Sequence, residues 1–182
     1  PTGNGGGTSA DASWIGIVGV TRRTLIPVSP APSVSPSGQV SSAAFYALLP
    51  NVSQSITSLA VNPGDRMAAS LSEQSAGQWT ITITDLTSNT SFTTAVAYTS
   101  SHSSAEWIEE DPSYVNGQLV PFDNFGSVPF NSAAAIMNGA TINLTSAGAQ
   151  MITLIRSDGT PLAVPSAVTG GTGFTVSREN AS

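Results

Sequence analysis

The sequence is unusual first in what it lacks: it has no cysteine, no lysine and one histidine among 182 residues. Without cysteine the chain has no disulfide framework, no thiol nucleophile and no zinc–thiolate centre. Five arginines against eleven acidic residues leave a net charge of −6, which argues against nucleic-acid binding because that function needs a cationic surface. The single His102 excludes a multi-histidine metal site within one chain.

Long apolar runs are also missing, and WIGIVGV at residues 14–20 is far too short to cross a bilayer. No basic segment followed by an apolar one opens the chain, so we expect that any export signal has been removed. We predict no membrane span and no cofactor.

Serine and threonine dominate what is present, with 28 and 20 copies, whereas only 9% of residues are charged. A surface with few carboxylate–ammonium pairs loses little stability when its carboxylates become protonated. This composition is typical of secreted, acid-tolerant β-proteins, and we therefore expect an extracellular protein. Four N-x-S/T sequons are candidate glycosylation sites, namely Asn51, Asn89, Asn143 and Asn180.

Apolar alternation predicts an all-β fold. In QWTITIT at residues 78–84, Trp79, Ile81 and Ile83 share one face of a half-buried strand. Ten further strands are predicted at residues 13–20, 40–49, 55–61, 66–73, 92–99, 104–110, 127–130, 141–144, 151–156 and 173–178. Turn residues at 62–65 and 157–159 separate some of them. Strands at this spacing indicate an antiparallel sandwich or barrel.

Three segments interrupt this pattern. The Gly-rich residues 1–12 are predicted to form an arm, and residues 29–38, with three prolines, a loop that cannot be a central strand. Residues 132–139 are the one candidate for a helical turn. We predict a single domain over residues 13–178, followed by a polar tail at 179–182.

Four of the eleven acidic residues lie within AEWIEED at residues 105–111. On a strand, Glu106, Ile108 and Glu110 would share one face, while Trp107 and Glu109 would share the other. A carboxyl group desolvated by apolar neighbours can act as a general acid or base at low pH. The plainer interpretation is an acidic strand end in solvent. A Ca²⁺ site at residues 109–111 is disfavoured because adjacent carboxylates on a strand point in alternating directions, and we predict no metal.

Five stretches in order resemble the glutamic peptidases, or eqolisins, a family of secreted acid endopeptidases. SAEWIEEDP at 104–112 is similar to the family's A-E-W-I-V-E-x-P, and LVPFDNFGSVPFNSA at 119–133 to its L-x-x-F-x-x-F-G-x-V-x-F-x-x-A. SWIGIVG at 13–19, SSAAFYALLP at 41–50 and VNPGDRMAASL at 61–71 resemble three more of its strands.

The resemblance implies a concanavalin-like, jelly-roll sandwich of two stacked seven-stranded antiparallel sheets. It also implies a mechanism in which a Glu, here Glu106, acts as general base on a water and then as general acid. A Gln side chain positions that water and stabilises the oxyanion. The implied substrate groove contains Trp107, Ile108, Glu110, Phe45 and Tyr46.

The chain departs from the family pattern at the partner of Glu106. The position implied for the Gln falls at Pro27 or Val28, neither of which has a side-chain donor. Val18 stands at the family's Asp and Ala47 at its W-Y-E Glu, followed by Leu48 and Leu49 at its aromatic positions. The candidate substitute amides are Gln39, Gln54 and Gln118, and the plainer interpretation of each is a solvated polar side chain.

Three functional hypotheses remain. The preferred one is a catalytically impaired secreted relative that binds or assembles; the alternatives are an active, pepstatin-insensitive acid endopeptidase using Glu106, and an unrelated adhesin or filament subunit. The resemblance implies that the chain lacks the family's N-terminal strands, and an exposed sheet edge is rarely left bare. We therefore expect a separate light chain, or a strand donated by a neighbouring copy, besides a peptide or protein ligand.

Overall fold

The structure is a computed structural model that describes residues 7–19, 22–25, 28–114 and 116–179. Sixteen strands and no helix occur in these residues, and every pair of strands is antiparallel. No described helix could therefore cross a membrane. The all-β antiparallel fold predicted from the alternation is confirmed.

The chain divides into two compact units, of which the first extends to Asp123 and the second begins at Asn124. The single domain predicted over residues 13–178 stays a prediction. Seven strands of the first unit form one sheet with the order β10-β2-β4-β5-β6, in which β1 pairs with β4 and β3 with β2. These strands are β1 (Ser9–Ala10), β2 (Ala12–Gly19), β3 (Arg22–Leu25), β4 (Val28–Val34), β5 (Val40–Tyr46), β6 (Gln54–Ile56) and β10 (Ser104–Glu110).

A three-stranded meander forms the second sheet of the first unit, with the order β7-β8-β9. Its strands are β7 (Met67–Ser75), β8 (Gln78–Asp85) and β9 (Thr90–Ala97). The predicted alternation in β8 is found, because Ile81 and Ile83 are fully buried and Trp79 is 4% exposed. They pack with Ala44 of β5 and Ile56 of β6, so the core of this unit lies between its two sheets.

The second unit contains a four-stranded sheet, β11-β16-β15-β14, and the hairpin β12-β13. Its strands are β11 (Ser127–Phe130), β12 (Ala134–Met137), β13 (Ala140–Asn143), β14 (Leu154–Ile155), β15 (Pro161–Pro165) and β16 (Phe174–Arg178). Phe130 and Phe174 stack with ring centroids 4.8 Å apart. The resemblance implied two seven-stranded sheets; in the described residues one sheet has seven strands and the others have four, three and two.

Each of the eleven predicted strands overlaps an observed strand, although β6 is much shorter than predicted. The predicted turns are also present: Asp65 N–H donates to the Asn62 carbonyl at 3.1 Å, and Gly159 N–H to the Arg156 carbonyl at 2.9 Å. The sequence analysis missed several strands, and one of them, β15, has a proline at each end.

The prediction that residues 29–38 cannot form a central strand is wrong. Strand β4 pairs along its whole length with β5, but it meets β2 only where Val28 lies opposite Ile15. The Pro32 carbonyl accepts from Asp11 N–H at 3.4 Å, so Pro32 faces the β1–β2 side, and Pro30, two residues earlier, faces the same side. The prolines therefore lie where the ladder to β2 is interrupted and a missing N–H costs little.

Two other local predictions are corrected. The predicted arm over residues 1–12 contains β1, and β2 already begins at Ala12. The predicted helical turn at 132–139 is the hairpin β12-β13, with Ala134 opposite Asn143. Its turn residues Asn138 and Gly139 have φ values of 52° and 80°, which suit a tight hairpin turn. The Asn-Gly pair was the overlooked signal.

Candidate active site

Strand β10 pairs antiparallel with β2 and presents two different faces. Glu106 lies opposite Gly16 and Glu109 lies opposite Ser13. Opposite residues share a sheet face, so Glu106, Ile108 and Glu110 lie with Trp14 and Gly16 on what we call the Glu106 face. The other face, which we call the core face, carries Ile15 and Ile17, which pack against the buried core.

Glu106 is half-buried and accepts a hydrogen bond from the Ser104 hydroxyl at 3.2 Å. Ser104 also lies on the Glu106 face, two residues earlier in β10. The carboxyl group is therefore accessible, and one hydroxyl group orients it. This arrangement suits a group that exchanges protons with water or with a bound ligand.

Two predicted groove residues accompany Glu106. Ile108 and Glu110 lie on the same face of β10, and the Trp14 indole N–H donates to Glu110 Oε2 at 2.5 Å. Burial raises the pKa of Glu110, while the hydrogen bond from Trp14 lowers it. Phe45 has the same parity in the sheet but lies in β5, with β2 and β4 between it and β10.

The other two predicted groove residues point away from Glu106. Trp107 alternates with Glu106 and so faces the core side of β10. Tyr46 packs against the core of the first unit, with its ring centroid 6.2 Å from that of Phe92. The family resemblance implied a groove that includes these aromatics, whereas strand alternation turns them to the face opposite Glu106.

One of the two positions implied for the family's Gln lies across β2 from Glu106. Pro27 is outside the described residues, and Val28 lies opposite Ile15, the neighbour of Gly16 in β2. Val28 and Glu106 thus lie on opposite sides of β2 and one register step apart, so the two positions do not have the parity of one sheet face. Among the other departures from the family pattern, Val18 lies opposite Ser104, and Ala47 is 4% exposed.

None of the three candidate substitute amides lies beside Glu106. Gln54 is in β6, four strands away across the sheet, or roughly 19 Å at the usual strand spacing. Gln39 is exposed in the turn between β4 and β5, where its backbone N–H is bonded to the Ser35 hydroxyl. Gln118 is exposed in the loop after β10 and accepts from the Asn116 amide.

Sequence reasoning missed a buried carboxyl group cluster on the core face. Asp11, Glu109 and Asp123 are 2%, 6% and 0% exposed, and we call them the carboxyl trio. The Ser13 hydroxyl donates to Glu109 Oε2 at 2.5 Å. The available signal was Glu109 itself, because the family motif has an apolar Val at this position of A-E-W-I-V-E.

The pKa values of two members of the trio are raised. Burial, followed by a hydrogen bond and repulsion from Glu109, raises the pKa of Asp11 to about 8. Burial also raises the pKa of Glu109, against hydrogen bonds from Asp11 and Ser13 that lower it. No group of three or more His, Asp or Glu side chains in the described residues has an arrangement that could hold a metal ion.

The candidate glycosylation sites differ in accessibility. Asn51 is exposed, and Asn89 is exposed in the turn between β8 and β9. Asn143 is half-buried at the end of β13, and its side-chain oxygen accepts from Ser146 N–H at 2.8 Å. Asn180 lies outside the described residues.

The comparisons with known proteins agree on one family. The model of the Peptidase A4 family matches residues 1–178. Aspergillopepsin-2 of Aspergillus niger is 30% identical over 136 residues, which is 72% of this chain and 48% of that protein. Scytalidopepsin B of Scytalidium lignicola is 26% identical over 174 residues, covering 90% of this chain and 66% of that protein. The chain thus spans about half to two thirds of the length of these relatives.

Solved structures agree with the fold. Aspergilloglutamic peptidase from Aspergillus niger superposes with a TM-score of 0.83 at 27% identity, over 94% of this chain and 99% of that chain. Scytalido-glutamic peptidase bound to a peptide-based transition-state analogue superposes with a TM-score of 0.78 at 25% identity, over 98% and 88% of the two chains. The alternative of an unrelated adhesin or filament subunit is therefore wrong.

Proposed function

Because the chain belongs to the Peptidase A4 family of glutamic peptidases, we propose that it is a secreted, catalytically impaired member that binds peptides. The observation that carries this proposal is the pairing across β2. Glu106 lies on one side of β2, whereas the residues at the positions implied for the Gln are Pro27 and Val28, of which Val28 lies on the other side. Neither side chain can donate a hydrogen bond to a water or to an oxyanion.

The expected loss of rate is large. Removing one oxyanion donor from a hydrolase typically costs about 10²–10³ in rate. Here the amide that would position the water and the amide that would stabilise the oxyanion are the same group, so a single replacement removes both contributions. The Ser104 hydroxyl orients Glu106 but contacts the carboxyl group itself, so it does not replace the donor.

Peptide binding is supported by what the Glu106 face retains. The strand keeps the family's motif residues at Glu106, Ile108 and Glu110, and Trp14 fixes Glu110 through its indole N–H. A relative with the same fold binds a peptide-based transition-state analogue. A face that keeps its shape while it lacks the oxyanion donor would bind peptides and release them uncut.

A peptide-library assay at about pH 2–5 with pepstatin present tests the proposal. We expect no cleavage above that of Glu106→Gln, and binding of uncut peptides by the parent chain. Pro27→Gln is the gain-of-function variant, and we expect it to raise cleavage by at least tenfold. Val28→Gln, at a position in register with Ile15 and Tyr46 of the core face, is its control and should not raise cleavage. Cleavage by the parent that is lost in Glu106→Gln would instead establish the active endopeptidase, whose support is the accessible Glu106.

Secretion and partners rest on the sequence. We propose an extracellular protein, and expression through a secretory pathway should attach glycans at the exposed Asn51 and Asn89, detectable as a mass shift lost on glycosidase treatment. The light chain or donated strand remains a prediction. A monomeric single-chain mass in native buffer would contradict it.

A further inference from the structure

The carboxyl trio lies where three segments of the first unit meet. Asp11 joins β1 to β2, Glu109 lies near the end of β10, and Asp123 ends the segment 121–123. Ala10 N–H donates to the Pro121 carbonyl at 3.0 Å, and Asp123 N–H donates to the Ala10 carbonyl at 3.3 Å. The segments 9–11 and 121–123 are thus joined by two backbone hydrogen bonds, and each segment places one carboxyl group near Glu109.

The carboxyl groups of the trio interact with one another. Asp11 interacts with both Glu109 and Asp123, and the Ser13 hydroxyl donates a hydrogen bond to Glu109. Among the described residues, Asp11 Oδ1 and Glu109 Oε1 are buried oxygens with no hydrogen-bond partner, and both side chains are more than nine-tenths buried. A hydrogen bond between two carboxyl groups requires a proton on one of them, because two carboxylates have no donor.

The surrounding charges favour protonation. Asp123 and Glu110 repel a charge on Glu109, and Asp111, the next acidic residue, has another buried oxygen. Attraction to the amino terminus lowers the pKa of Asp11, but burial and Glu109 outweigh it and leave that pKa at about 8. No arginine or histidine is among the described interactions of Asp11 or Glu109. Pro32 of β4 contributes only its carbonyl, to Asp11 N–H.

We propose that Asp11, Glu109 and Asp123 form a proton-dependent clasp, which holds the segments 9–11 and 121–123 to β10 in acid and releases them when its carboxyl groups ionise. In acid the trio shares protons through hydrogen bonds between its members. At neutral pH the same groups become negative charges in a buried space, and repulsion favours opening of the three segments.

This clasp is a property of this chain rather than of its family motif. The motif has Val where this chain has Glu109. A chain that followed the motif would therefore have an apolar side chain at the centre of the trio. The clasp would act on the Glu106 face as well, because Glu109 and Glu106 share β10 and its ladder with β2. Its release in neutral solution would loosen the site strand, whether or not the site cleaves peptides.

Unfolding in urea between pH 3 and pH 8 tests the clasp on the full chain. Each proton that the folded chain retains and the unfolded chain has lost raises the unfolding equilibrium constant about tenfold per pH unit. For the parent we expect at least a hundredfold rise from pH 5 to pH 7. Glu109→Val should reduce that rise at least tenfold, and Asp11→Asn, which keeps the side-chain shape, should reduce it as well. Glu106→Gln, on the opposite face of the same strand, is the matched control and should keep the parent's rise.

Amide hydrogen exchange supplies the local measurement. After correction for the intrinsic pH dependence, exchange at Ala10, Asp11 and Asp123 should accelerate at least tenfold in the parent between pH 5 and pH 7, but not in Glu109→Val. An equal rise of the unfolding constant in the parent and in both trio variants would overturn the proposal. Calcium that stabilises the parent at pH 7, but not Glu109→Val, would also overturn it, because the trio would then be a cation site.

Discussion

The two faces of β10 place carboxyl groups of the same strand in opposite situations. Glu106 is half-buried with one long hydroxyl contact, whereas Glu109, three residues later, is 6% exposed and grouped with two other acids. Glu110 is intermediate, half-buried and bonded to an indole N–H. The comparison teaches that burial, more than the residue type, determines what a carboxyl group does. Water screens the charge of the half-buried Glu106 but not that of the buried Glu109.

The largest expected effect on this comparison comes from Ser13→Ala. The lost hydroxyl donates to buried Glu109 and lowers its pKa, so the variant's folded state should hold its proton to a still higher pH. A carboxyl group with a raised folded pKa destabilises the fold as pH rises above its unfolded value near 4.5. We expect a loss of about 1–3 kcal/mol in the free energy of unfolding at pH 7, and a smaller loss at pH 3.

Urea unfolding of Ser13→Ala at both pH values measures this difference. An equal loss at pH 3 and pH 7 would mean that Ser13 contributes packing and not a hydrogen bond to ionised Glu109.

Trp14→Phe should have an intermediate effect on the Glu106 face. The indole N–H lowers the pKa of Glu110, so its removal should raise that pKa and destabilise the fold only where Glu110 ionises. We expect a loss of about 1 kcal/mol that is present at pH 7 and absent at pH 3, in addition to a pH-independent loss of apolar contact. A titration of the Glu110 carboxyl group by NMR, with no upward shift in the variant, would contradict the assignment.

Ser104→Ala should have the smallest effect. Its hydroxyl contacts the half-exposed Glu106 at 3.2 Å, and water can replace it. We expect a change in the free energy of unfolding below about 0.5 kcal/mol at either pH. A loss of unfolding free energy as large as that of Ser13→Ala would contradict the difference between the two faces, since it would show that water is excluded equally from both.

Much of the architecture could be predicted from local pattern. The alternation of β8 predicted its buried face because a strand has a period of two, and the AEWI motif located Glu106 in β10. Strand β4 could not be predicted, because its two prolines are tolerated only where the ladder to β2 is interrupted. The face that Tyr46 occupies could not be predicted, because its motif indicates which strand it is in but not which side of the sheet it faces.

The sequence by itself determined that the chain is an antiparallel β-protein of the glutamic peptidase type, with Glu106 present and no amide at the implied partner position. Those conclusions depend on residue identity and on short-range periodicity, which are properties of the chain. Only the tertiary structure decided that Asp11, Glu109 and Asp123 are one cluster. Their positions lie up to 112 residues apart in the sequence, and only folding brings the three segments together and removes the water that would separate their charges.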